Sequence, residues 1–201
     1  GAWVVTAAAD GAARVWSAYG GGCLFVLSGH LGTVSSAMFS SDKSLVLTAS
    51  MDWSAKLWSV EATDCIQTFR GHTDKVYAAV ISPCSLFVLT AAADSSARLW
   101  NAESGHCLQV LVGHASAVTA TAFSPDGSLV LTVSADCSAR LWAANTIPYT
   151  CLRVLPGDGS PIFNGTFSPD GKLVITAHRS CRAVLWNSTS GRPVRALEGL
   201  C

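Results

Sequence analysis

Three sets of an imidazole, a hydroxyl and a carboxylate recur along the chain: His30, Thr48 and Asp52; His72, Thr90 and Asp94; His114, Thr132 and Asp136. These are the parts of a hydrolytic triad, in which a base takes the proton of a hydroxyl nucleophile and an acid orients the base. On that reading Thr48, Thr90 or Thr132 attacks. The spacing argues otherwise. The sets are copied at about 42 residues, and an active site is normally built once, at a pocket, whereas a device copied at a fixed interval belongs to the architecture. No His-Glu-x-x-His motif is present and the repeated histidines fall in different copies, which argues against a zinc site. No catalytic residue, metal or organic cofactor is expected.

Other markers keep the same interval. Trp16, Trp58, Trp100, Trp142 and Trp186 recur in one local context, and Gly29-His30, Gly71-His72 and Gly113-His114 precede a degenerate copy, Gly157-Asp158. Within one unit, residues 73–114, Val76 to Ile81 alternates as a strand does, Ser82 to Ser85 reads as a turn, and Leu86 to Thr90 is rich in strand formers. Residues 97–100 and 107–111 supply two more strands, so each unit is a four-stranded antiparallel sheet, the composition of a propeller blade. Complete units span 31–72, 73–114, 115–158 and 159–201, and residues 1–30 form a partial one without its first strand. The sum is about 19 strands in five blades, an all-β fold. Apolar second strands such as Leu45-Val46-Leu47 are expected between neighbouring blades, buried on both faces. The turns Ser124-Pro125-Asp126-Gly127 and Ser168-Pro169-Asp170-Gly171 carry type I chemistry. Two extra residues between Trp142 and Cys151, in the loop holding Ile147-Pro148-Tyr149, are the one irregularity.

Composition narrows the class. Half the residues are hydrophobic, 13% are charged, and 13 basic residues balance 13 acidic ones. That describes a folded domain without the basic footprint of a nucleic-acid binder. No apolar run reaches the roughly 18 residues that a spanning helix needs, so no membrane role is expected. The chain starts inside a unit with no signal-peptide pattern, which predicts a piece of a larger propeller in an intracellular, cytoplasmic or nuclear setting. Four of the eight cysteines, Cys23, Cys65, Cys107 and Cys151, share one repeat position, and Cys137 and Cys181 share another. Equivalent positions lie a blade apart, too far to bridge, so reduced thiols are expected. Cys84 takes a turn slot that Asp126 fills elsewhere.

The Gly-His pairs, the Ser-Pro-Asp-Gly turns and the Asp-to-Trp spacing resemble the WD-repeat β-propeller family across essentially the whole chain. The family's Trp-Asp dipeptide is absent, since each repeat Trp precedes Ser, Asn or Ala. The resemblance implies that each blade is braced by a hydrogen-bonded set: His30, Thr48, Asp52 and Trp58; His72, Thr90, Asp94 and Trp100; His114, Thr132, Asp136 and Trp142. The first blade keeps Thr6, Asp10 and Trp16 without a histidine. The fifth keeps Thr176 and Trp186 but has Asp158 and Ser180 where His and Asp belong, which predicts an absent or rebuilt set and a weak blade.

The resemblance also implies a protein-interaction scaffold that docks partner proteins or peptides on one propeller face. Narrower readings are a substrate-recognition subunit of a ubiquitin ligase and a chromatin or phosphopeptide reader; a propeller-based hydrolase is the remote one. Residues that break the repeat point to the surface. Trp53 stands where other units place Gly11, Ser95, Cys137 and Cys181, and aromatic anchors are enriched at interaction hot spots. Met51, Trp53, Lys75 and Tyr77 are read as one aromatic patch with a positive rim. Phe163, His178 and Arg179 are read as a second, basic feature suited to an acidic segment. The incomplete edges predict self-association.

Overall fold

The computed structural model describes residues 2–145 and 147–199 of the 201. Gly1 and Cys201, the outer limits of the first and last expected blades, lie outside them.

Nineteen strands form five antiparallel meanders among the described residues. The first sheet has three strands, β1 (Trp3–Ala7), β2 (Ala12–Ser17) and β3 (Cys23–Ser28). The second holds β4 (Val34–Phe39), β5 (Leu45–Ser50), β6 (Ser54–Ser59) and β7 (Cys65–Arg70). The third holds β8 (Val76–Ile81), β9 (Phe87–Ala92), β10 (Ala97–Asn101) and β11 (Cys107–Leu111). The fourth holds β12 (Val118–Phe123), β13 (Leu129–Ser134), β14 (Ser138–Ala143) and β15 (Thr150–Pro156). The fifth holds β16 (Ile162–Phe167), β17 (Leu173–His178), β18 (Arg182–Asn187) and β19 (Pro193–Glu198).

Turn chemistry sets these limits. Ser40, Ser124 and Ser168 each donate a hydroxyl hydrogen to the aspartate two residues on, at 2.5–2.6 Å, and each aspartate accepts a backbone N–H two residues further. The side chains thus close the first hairpin of three sheets locally, as Asx and Ser turns do.

Between sheets the alternation of strand side chains does the work. On β9, Val88 joins the core shared with the second sheet, and its neighbour Leu89 joins the core shared with the fourth. Val46 and Leu47, and Val130 and Leu131, divide in the same way. Second strands are therefore buried on both faces. Trp58, Trp100, Trp142 and Trp186 each lie in the core toward the preceding sheet. The first strands β4, β8, β12 and β16 run side by side along the inner rim. Packing proceeds in chain order and leaves the arc open: Ile175, whose counterpart Leu131 is fully buried, is only half-buried, and β19 is exposed along its whole length.

Among the described residues six cysteines carry free thiols, Cys23, Cys65, Cys84, Cys107, Cys137 and Cys151. Cys181 is disulfide-bonded, which corrects the expectation of reduced thiols throughout.

Candidate functional site

In the third sheet Trp100 Nε1 donates to Thr90 Oγ1 at 2.9 Å, Thr90 Oγ1 lies 2.7 Å from His72 Nε2, and His72 Nδ1 lies 2.7 Å from Asp94 Oδ2. The second sheet repeats this with Trp58, Thr48, His30 and Asp52, and the fourth with Trp142, Thr132, His114 and Asp136, all at 2.8–3.0 Å. Burial pushes all three imidazoles below their ordinary pKa, against the pull of the aspartates, so they are neutral near pH 7. With one ring proton, Nδ1–H donates to the carboxylate and Nε2 accepts from threonine. Every side-chain polar atom of the indole, hydroxyl and imidazole in each set then has a partner, and the imidazole ties the loop before the first strand to the turn before the third.

Serine completes the set. Ser54, Ser96 and Ser138 donate to the second carboxylate oxygen at 2.6–2.7 Å. Burial raises the pKa of Asp52 and Asp136, but the serine, the backbone N–H of Leu31 or Ala115, and the imidazole outweigh it and hold both at about 2. These threonines are fully buried, and each hydroxyl is spent between an indole and an imidazole. The arrangement suits a brace, with no path for a substrate to the oxygen.

The fifth sheet makes the same connections with the roles exchanged. Asp158 supplies the carboxylate from the loop, and His178, at the end of β17, supplies the ring. His178 Nε2 lies 2.9 Å from Thr176 Oγ1, which accepts from Trp186 Nε1 at 2.9 Å, and His178 Nδ1 lies 3.2 Å from Asp158 Oδ1. Ser160 and Ser180 donate to Asp158 at 2.6 and 2.5 Å and hold its carboxyl far below the usual range. The set is rebuilt. His178 is consequently buried, which corrects its reading as a surface basic group; only Arg179 and Phe163 of that trio are exposed. A Cβ on Gly157 would fall 2.4 Å from the Cys137 carbonyl oxygen and 3.0 Å from His178 Cε1, so this backbone approach requires glycine. In the first sheet Trp16 Nε1 reaches Thr6 at 2.8 Å, and Asp10, lacking an imidazole, pairs with Arg14 at 2.5 Å.

The brace also presents surface. Trp53, in the turn between β5 and β6, is 51% exposed and Met51 is 40% exposed. The Leu31 amide donates to Asp52 Oδ2 at 2.9 Å, setting a side chain that is 92% exposed beside the same turn. Three apolar side chains thus gather around Asp52. The equivalent positions hold Thr73, Ala93 and Ser95 in the third sheet and Ala115, Ala135 and Cys137 in the fourth. Leu31 was missed in the sequence, although its signal was there: it is the one large apolar residue to follow a Gly-His pair.

Lys75 and Tyr77 lie on the adjoining third sheet, at the same end. Tyr77 is the extra residue of a bulge, because the β8 pairing passes from Val76–Ala92 to Ala78–Ala91. Ser35, Thr119 and Phe163 are the extra residues of matching bulges in β4, β12 and β16. A bulge re-aims the side chain it leaves unpaired. Ser35 and Thr119 use theirs to donate to the Val76 and Ile162 carbonyls of the next sheet at 2.6 and 2.7 Å. Tyr77 and Phe163 make no such bond among the described residues, and Phe163 is 55% exposed. The structure brings Met51 and Trp53 together in one turn, sets Lys75 and Tyr77 on the neighbouring sheet, and places Phe163 and Arg179 two sheets further on.

The family model described as WD domain, G-beta repeat, matches residues 21–59, 63–101, 105–143 and 149–187. Each match takes the fourth strand of one sheet and the first three of the next, or, at the start, β3 and then β4 to β6. A search of curated proteins finds no match.

Proposed function

Because the chain belongs to the WD-repeat family, whose repeats generally mediate protein–protein interaction, we propose that it is a non-catalytic scaffold whose second blade docks a partner peptide. The observation that carries this reading is the patch of Leu31, Met51 and Trp53, gathered around Asp52 and set on a turn that the Asp52 carboxylate holds by hydrogen bonds. Aromatic and long apolar side chains in such a position act as anchors. Lys75 and Tyr77 border the patch on the third blade, which favours a peptide with an apolar side chain followed by an acidic one.

Random peptides displayed on phage and selected on the immobilised chain supply the test. Binding of the selected peptides is expected to fall at least tenfold in Trp53→Ala and in Leu31→Ala, with unchanged melting, and to persist in Phe163→Ala. Retention of full affinity by both blade-two variants would place the docking surface elsewhere.

A further inference from the structure

Two departures from the repeat meet in one cavity at the opposite end of the molecule. Its volume is about 340 Å³, and Ser82, Cys84, Phe87, Phe123, Asp126 and Tyr149 are among its walls. Cys84 stands in the turn slot that Asp42, Asp126 and Asp170 fill in the other complete blades. There the aspartates accept a serine hydroxyl and a backbone N–H. Cys84 Sγ lies 3.3 Å from Ser82 Oγ, with the Leu86 N–H as the second donor. The slot is therefore a cradle for negative charge that holds sulfur instead of a carboxylate. Although burial opposes it, Ser82 and the Leu86 amide lower the Cys84 pKa, which increases the nucleophilic thiolate.

Tyr149 is the second, independent observation. It comes from the loop with two extra residues, and its backbone is clamped by Gln109, which donates to the Tyr149 carbonyl at 2.9 Å and accepts from its N–H at 2.6 Å. Only 5% of the residue is exposed, yet its hydroxyl has no hydrogen-bond partner among the described residues. A phenol that lines the cavity without a protein partner is a donor open to an acceptor placed there.

We propose that this cavity is a modification site in which Cys84 adds to small, neutral α,β-unsaturated carbonyl compounds whose oxygen accepts the Tyr149 hydroxyl hydrogen. The thiolate attacks the β-carbon and forms a C–S bond while the C=C π pair moves into an enolate. Tyr149 stabilises the developing oxygen charge, as an oxyanion donor does. Water then protonates the α-carbon, so the net change is addition of S–H across the double bond. Phe87 and Phe123 give the carbon skeleton an apolar wall, and Asp126, which also lines the cavity, disfavours anionic compounds.

The chain carries its own controls, because Cys23, Cys65, Cys107 and Cys151 are also free and exposed. The full chain is treated with cyclohexenone, and alkylation of each cysteine is followed over time by peptide mass spectrometry. Cys84 is expected to react at least tenfold faster than those four thiols. Tyr149→Phe is expected to slow that reaction about fivefold while leaving Cys84 labelling by methyl methanethiosulfonate, which has no carbonyl, unchanged. Comparable rates at all five thiols would overturn the site, and an unaltered enone rate in Tyr149→Phe would overturn the role of the phenol. The proposal is independent of the docking surface on blade two.

Discussion

Trp53 occupies left-handed backbone, with φ of 71°, at a position where the first blade uses Gly11, with φ of 81°. A residue with a Cβ is disfavoured there by about 1 kcal/mol or more, a cost glycine avoids. Ser95, Cys137 and Cys181 bear the same conformation at the equivalent positions, with φ of 64°, 69° and 61°, so what sets Trp53 apart is its half-exposed indole, which takes part in no brace. Trp53→Gly is therefore expected to raise stability by up to about 1 kcal/mol while abolishing peptide capture, as read from denaturation midpoints and the phage-selected peptides. Joint loss of stability and binding would mean that the indole packs the turn. Residues of this kind were partly legible. Trp53 was visible as an outlier among small residues, whereas Leu31 acquires its meaning only when its amide meets Asp52 across the loop.

At the level of the strand, one hydroxyl serves two buried groups. Thr90→Val leaves both Trp100 Nε1 and His72 Nε2 without a partner, and each orphaned group costs about 1–3 kcal/mol. A loss of about 2–6 kcal/mol is expected from the two. Thr6→Val in the first blade touches only the half-buried Trp16, so a change under about 1 kcal/mol is expected there. Urea unfolding of both variants measures the contrast, and equal losses would show that the imidazole adds nothing. The elements themselves were legible because the turn residues and the period-two apolar pattern agreed in each copy, so that β8, for instance, runs over the expected Val76–Ile81. The fifth brace was not. Reading each position by its slot in the repeat assigned His178 to the surface. Thr176 and His178, two apart on one strand, share a face, and this brings the imidazole to the hydroxyl from a new direction.

Across the whole molecule, three buried neutral imidazoles make stability depend on pH. His30, His72 and His114 have folded pKa values below the unfolded 6.5. Below pH 6.5 the unfolded chain therefore binds protons that the folded chain resists, and stability falls as pH falls. Each histidine contributes at most about 1.4 kcal/mol per pH unit in that range. Asp52 and Asp136, held at about 2 against 3.8, act in a lower window: their contribution is complete above 3.8 and is lost as pH falls toward 2. Thermal melts are expected to drop between pH 7.5 and about 5 and again below about 4. A flat profile from pH 7.5 to 5 would mean that the imidazoles titrate alike in the folded and unfolded states, and a rise in stability toward pH 5 would mean that they are charged when folded.

The unit that the chain repeats and the unit that folds are out of step by one strand. Each matched segment closes one sheet with its first strand and opens the next with the other three. An in-frame gain or loss of one segment, about 42 residues, joins every strand to the same kinds of neighbour that it had before, wherever the breakpoints fall. Copy number is then a heritable variable separate from blade design: unequal recombination between segments changes how many sheets the arc holds and leaves the construction of each one as it was.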